Sequence, residues 1–155
     1  MTDMTTTKSV NGTDDSKKPT LFSTKLGEIR FSIDSIDAPT LGLITSSRVT
    51  QSRDGNGNPI VGTIAKVVFH CVDLKVAKIF QTQGLDLSAA PTFTVELISN
   101  FDYMKQISEK ELIGKAIDLR QAKVALRWVS RGNSGSWAGL KLILETLAIP
   151  TTKTN

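Results

Sequence analysis

The side chains able to do chemistry in this 155-residue chain are unevenly spread. Between residues 115 and 141 stand Lys115, Arg120, Lys123, Arg127, Arg131 and Lys141, faced by a single carboxylate, Asp118. Residues 25–114 hold nine basic and ten acidic side chains, so the formal charge of +4 resides in that one later stretch. A local excess of cations attracts anions, phosphates above all. Trp137 lies inside the same stretch. An aromatic ring among cations is what a sequence-tolerant site for a single nucleic-acid strand requires, because every base has a π-face and every nucleotide a phosphate. The alternative is that Trp137 packs over its own hairpin while the cations keep a sheet edge soluble and unpaired.

Two further groups have the right residue types. Arg48 and Arg53 flank the start of SRDGNGNP, a segment rich in residues suited to positive φ, and complete the candidate nucleic-acid-binding set. Phe101 and Tyr103, beside Lys105 in NFDYMK, could stack on bases or fill the core.

Enzymatic chemistry finds no such footing. His70 precedes Cys71, but neighbours on a strand point to opposite faces and cannot form a nucleophile–base pair. One His and one Cys do not supply the ligand cluster of a zinc site. There is no phosphate-cradling P-loop, no dinucleotide fingerprint and no H-E-x-x-H, and Asp34, Asp37 and Glu96 have no spacing that pairs them. The expectation is a protein that is not an enzyme and uses no cofactor or metal. A lone cysteine excludes an intramolecular disulfide and fits a reducing compartment. With no signal-peptide pattern and no apolar run of about 18 residues, the reading is a cytoplasmic protein with no membrane partner.

The elements that must position these groups are mainly strands. Residues 1–24 are so poor in apolar side chains that they read as a disordered N-terminal tail, serving solubility or reaching a neighbouring copy. Residues 25–150 read as one β domain, and 151–155 as a short C-terminal tail. LGEIRFSID alternates as a half-buried strand that continues into LGLITSSRVT around Pro39 and Gly42, and the SRDGNGNP turn leads to VGTIAKVVFHCVD, the central strand. LKVAKIFQTQG fits a helix or an edge strand, and TFTVELIS is a strand. Ser108 and Glu111 form an S-x-x-E capping box with Gly114 as terminator, predicting a short helix near 108–113, and FDYMKQI is compatible with an earlier start. AIDLRQAKVALRWVS and WAGLKLILETLAI close the chain as a hairpin across RGNSGS. The first of these changes parity near Arg120 and Gln121, which predicts a β-bulge. Beyond it, alternation sets Val124, Leu126 and Trp128 on the core face and Lys123, Arg127 and Arg131 on the other, with Trp137 on the side of Lys141. Five strands with a helix between the third and fourth predict an OB-fold-like five-stranded barrel, an architecture that binds oligonucleotides and oligosaccharides.

On this order of elements, the GKAIDLRQAKVALRW strand and the RGNSGSW hairpin, the chain resembles single-stranded-DNA-binding OB-fold proteins. It is similar to the small accessory ones of Gram-positive conjugative plasmids and transposons. The resemblance covers residues 25–149 and implies binding of single-stranded DNA, or RNA, without sequence preference, in DNA transfer or replication of a mobile element. It also implies homo-oligomers assembled through the N-terminal tail. The chain ends in PTTKTN instead of the acidic tail of the bacterial housekeeping proteins. Two other classes compete: a structural or assembly protein of a phage or conjugation system that self-associates without nucleic acid, and an oligosaccharide or peptide binder.

Overall fold

The structure, a computed structural model, describes residues 20–150. Seven strands form one mixed sheet: β1 (Phe31–Ser32), β2 (Leu41–Thr50), β3 (Lys66–Asp73), β4 (Phe93–Leu97), β5 (Ala116–Asp118), β6 (Lys123–Arg131) and β7 (Ser134–Leu144). Two helices, α1 (Leu74–Thr82) and α2 (Phe101–Ser108), pack against it. The strand order is β1-β6-β7-β4-β3-β2-β5, antiparallel throughout except where β4 runs parallel to β7.

This corrects the expected five-stranded OB-fold-like barrel with one helix. Among the described residues no ladder joins the edge strands β1 and β5, so the sheet is open. Local hydrogen bonding explains much of the difference. The alternating LGEIRFSID segment keeps only Phe31 and Ser32 in the sheet, because Ser32 Oγ accepts from Asp34 N at 3.1 Å and turns the chain into a 3-10 turn. The long strand expected over 116–130 is two strands. Asp118 accepts from Arg120 N at 2.9 Å and Ala122 N donates to Leu119 O at 3.1 Å, closing a turn where a bulge was expected. β5 then pairs with β2, and β6 with β7.

The helix expected near 108–113 takes the earlier position that FDYMKQI allowed and does not extend to 113. Asn100 Oδ1 accepts from Tyr103 N at 2.9 Å and starts α2, whereas Ser108 is its last residue. Asp73 likewise accepts from Lys75 N at 3.0 Å, which settles the ambiguous LKVAKIFQT segment as α1. The N-terminal tail expectation falls largely on residues 1–19 and the C-terminal one on 151–155, both outside the described residues. Residues 20–24 form a turn with Leu21 and Phe22 exposed.

One apolar cluster holds the sheet together. Ile44, Val67, Phe69, Val95, Leu97, Ile117, Leu119, Val124, Leu142 and Leu144 all belong to it, with Met104 and Ile107 of α2. Side chains from β5, at one edge, and β6, near the other, meet in the same cluster, so the sheet curls around it. A smaller cluster seats α1 on Leu43 and Val72, covering the opposite face at the β2–β3 end that precedes the helix.

Candidate functional site

With Val67, Val95, Leu142 and Val124 inside, alternation turns their neighbours outward. The register then aligns Arg48 (β2), Val68 (β3), Glu96 (β4), Ile143 (β7) and Lys123 (β6) in one row on the outer face. That row crosses four inter-strand gaps of about 4.8 Å, roughly 19 Å. Val68, Ala125 and Ile143 are buried although they belong to neither apolar cluster. Their ladder neighbours are long cations, Arg48, Lys123 and Lys141, whose methylene stems can cover apolar ground while the charge stays in water.

Glu96 sits in the middle of this face and is only 5 % exposed. Lys66 Nζ reaches its carboxylate at 2.9 Å and Lys141 Nζ at 3.0 Å. Burial alone would raise the Glu96 pKa, but hydrogen bonds from both lysines, reinforced by their charges, bring it below the ordinary range. Lys141, expected as a binding cation, is therefore already committed to an internal partner. Arg120 is committed too: its guanidinium grips Asp118 at the β5–β6 turn and holds that carboxyl below its usual pKa, while Asp118 raises that of Arg120. The other candidates, Arg48, Arg53, Lys115, Lys123, Arg127 and Arg131, have no carboxylate within 4.0 Å among the described residues.

Within the +5 stretch, Lys115 stands just before β5 and Arg120 in the β5–β6 turn, whereas Lys123, Arg127 and Lys141 share the outer face and Arg131 stands at the hairpin end. Lys66 joins that face from β3 and was missed from sequence. Its parity with Val68 and His70 on the central strand is the signal that could have found it.

The tryptophans also depart from expectation. On β7, Ala138 and Gly139 together oppose Arg127, and Gly139 takes φ +84°, a bulge whose extra residue changes the parity beyond it. Trp137 is thereby carried from the face of Lys141 to that of Leu140, where it pairs across the ladder with Trp128. Their rings meet edge to face at 5.1 Å and 74°. Trp137 is 39 % exposed and backs onto Gly27, while Trp128, expected in the core, is 50 % exposed because the hairpin extends beyond the cluster. The pair stands on the opposite face of the ribbon from Arg127 and Arg131.

A third place gathers what the sequence scattered. Arg48, Arg53, Phe101 and Lys105 line one open groove of about 600 Å³, floored by Thr50, Pro59 and Ile64 among others. Its lining has no carboxylate. Arg53 donates to Gly57 O at 2.7 Å, inside a loop that Asp54 closes by accepting from Asn56 N and Asn58 N. Those backbone hydrogen bonds, Asn58 first, lower the Asp54 pKa. Arg48 donates to Thr50 Oγ1 at 3.2 Å. Lys105 is the weakest member electrostatically, bridged to Glu109 at 2.7 Å. Of the two aromatics in NFDYMK, Tyr103 packs on the core and accepts from Leu147 N, and Phe101 is 43 % exposed at the groove.

Cys71 is fully buried in the core, where burial pushes its thiol up to about 12, and His70 turns outward beside Ser46. No family model, curated protein or solved structure matches the chain.

Proposed function

We propose that this protein binds single-stranded nucleic acid along the outer face of its sheet, without sequence preference and without catalysing a reaction. The observation that carries the reading is the row from Arg48 to Lys123, extended along β6 to Arg127, in which the exposed Arg48 and Lys123 and the half-buried Arg127 have no carboxylate partner among the described residues and the row's one carboxylate, Glu96, is spent on Lys66 and Lys141. A phosphodiester chain laid on it meets cations and little counter-charge. The half-exposed Trp128–Trp137 pair lies on the other face of the same hairpin, where a base would reach it only from a strand that turns around the hairpin end, each stacked base contributing roughly 1–3 kcal/mol.

Fluorescence anisotropy with labelled oligonucleotides tests this. Binding is expected to weaken steeply with salt, log K falling by about 0.7 per log unit of salt for each phosphate engaged. Absence of binding at low ionic strength overturns the proposal.

A second reading rests on Leu21 and Phe22, exposed at 87 % and 93 %. Apolar side chains so fully in water favour association with another copy, as an assembly protein would require. Light scattering separates the readings: oligomers indifferent to oligonucleotide support assembly, and a salt-sensitive complex supports binding.

A further inference from the structure

We infer that the groove between the β2–β3 loop and the start of α2 is a nucleotide pocket, with Phe101 taking the base and Arg48 and Arg53 the phosphate. The inference rests on the nucleic-acid reading and deepens it, assigning one nucleotide of the bound strand to a defined place at the Arg48 end of the outer row.

The volume of about 600 Å³ lies within the range of small-molecule sites, which is roughly 300–1,000 Å³. Its aromatic wall is a phenyl ring 43 % exposed on the first residue of α2, where Asn100 fixes the backbone through its bond to Tyr103 N. Exposing such a ring to water is unfavourable unless something covers it, and a nucleobase offers a flat face of matching size. Two guanidiniums line the same groove with no carboxylate partner, and guanidinium suits phosphate because its fork of N–H donors meets two oxygens at once. Arg53 is held in advance. Its Nη1 bond to Gly57 O ties it across a loop that Asp54 pins through two backbone N–H groups, so little side-chain freedom is left to lose on binding. Arg48 belongs both to the groove and to the outer row, so a strand on the sheet can pass one phosphate to Arg48 and deliver the next base to Phe101.

The test uses the full chain, isothermal calorimetry and four ligands: a nucleoside monophosphate, the matching nucleoside, inorganic phosphate and an oligonucleotide. The monophosphate is expected to bind at least tenfold more tightly than the nucleoside or phosphate alone. Phe101→Ala should weaken monophosphate binding at least fivefold, and Arg53→Ala by a similar factor, with far-UV dichroism and melting unchanged because both side chains are exposed. For the oligonucleotide, Phe101→Ala should lower affinity without changing the salt slope, whereas Arg53→Ala should flatten it by about 0.7.

Phosphate binding as tightly as the monophosphate would reduce the groove to an anion patch and overturn the inference, as would a Phe101→Ala protein indistinguishable from wild type. In either case, intact salt-dependent oligonucleotide binding leaves the outer-face reading standing. Monophosphate binding without oligonucleotide binding keeps the pocket and removes the outer face.

Discussion

The β6–β7 hairpin and the β2–β3 loop both carry arginines, but they arrive at their exposure by different routes. The hairpin belongs to the most cationic stretch of the sequence, yet Lys141 is spent on Glu96, Arg120 is spent on Asp118, and the tryptophans face away from Arg127 and Arg131. The loop belongs to a stretch of near-neutral charge, yet it brings Arg48 and Arg53 beside Phe101 with no carboxylate in the groove lining. Charge counted along a chain therefore overstates one region and understates the other. What a phosphate meets is the cation left over after the fold has made its internal pairs.

Variants that delete leftover cations should break that comparison most sharply. At 0.1 M salt, a slope of about 0.7 per phosphate makes each contact worth about a fivefold change in affinity. Arg48→Ala, Lys123→Ala and Arg127→Ala combined should lower oligonucleotide affinity by about two orders of magnitude and the salt slope by about 2, read by anisotropy.

Glu96→Gln should act in the opposite sense. It removes the carboxylate that occupies Lys66 and Lys141, so affinity should rise by up to about tenfold and the slope should steepen. The same substitution should change acid stability. Because the Glu96 pKa is depressed in the fold, its charged form stabilises the protein above the pKa it has when unfolded, and that contribution is lost as pH falls through the folded value. Thermal melts of Glu96→Gln should be lower than wild type near neutral pH, and the difference should shrink in acid.

A smaller effect belongs to the hairpin rings. A Cβ added at Gly135 would lie 2.5 Å from Trp128 Cζ2 and 2.7 Å from the Val129 carbonyl oxygen, so Gly135→Ala must shift both the ring and the hairpin backbone beside it. Tryptophan emission should shift, and oligonucleotide affinity should change by no more than a few-fold if the pair contributes one stacked base.

Much of the fold was legible because burial writes itself into residue type. The runs around Val67–Val72, Val95 and Leu142–Leu144 read as buried strands and are so. What escaped was decided by single side-chain hydrogen bonds. Ser32 diverts the first strand, Asp118 splits the fifth from the sixth, and Asn100 starts the helix over FDYMKQI, a segment readable as helix, where the Ser108–Glu111 pattern by itself pointed later. The open seven-stranded sheet follows from those diversions and from the parallel β4–β7 pairing, which no local pattern announces. At the candidate site, the outward parity of Lys123 and Arg127 was readable, but that of Trp137 was not, because Gly139 inserts a bulge that alternation cannot foresee. The Lys66–Glu96–Lys141 cluster joins residues far apart in sequence and needed the sheet order to appear.

The most direct measurement compares two double variants with the same charge change in the same stretch of chain. Lys123→Ala with Arg127→Ala removes two leftover cations, and Arg120→Ala with Lys141→Ala removes two that are already paired. Salt titration of oligonucleotide binding should show the slope falling by about 1.4 in the first and by less than about 0.5 in the second. Equal slopes in the two variants, or a wild-type slope near zero, would contradict the account.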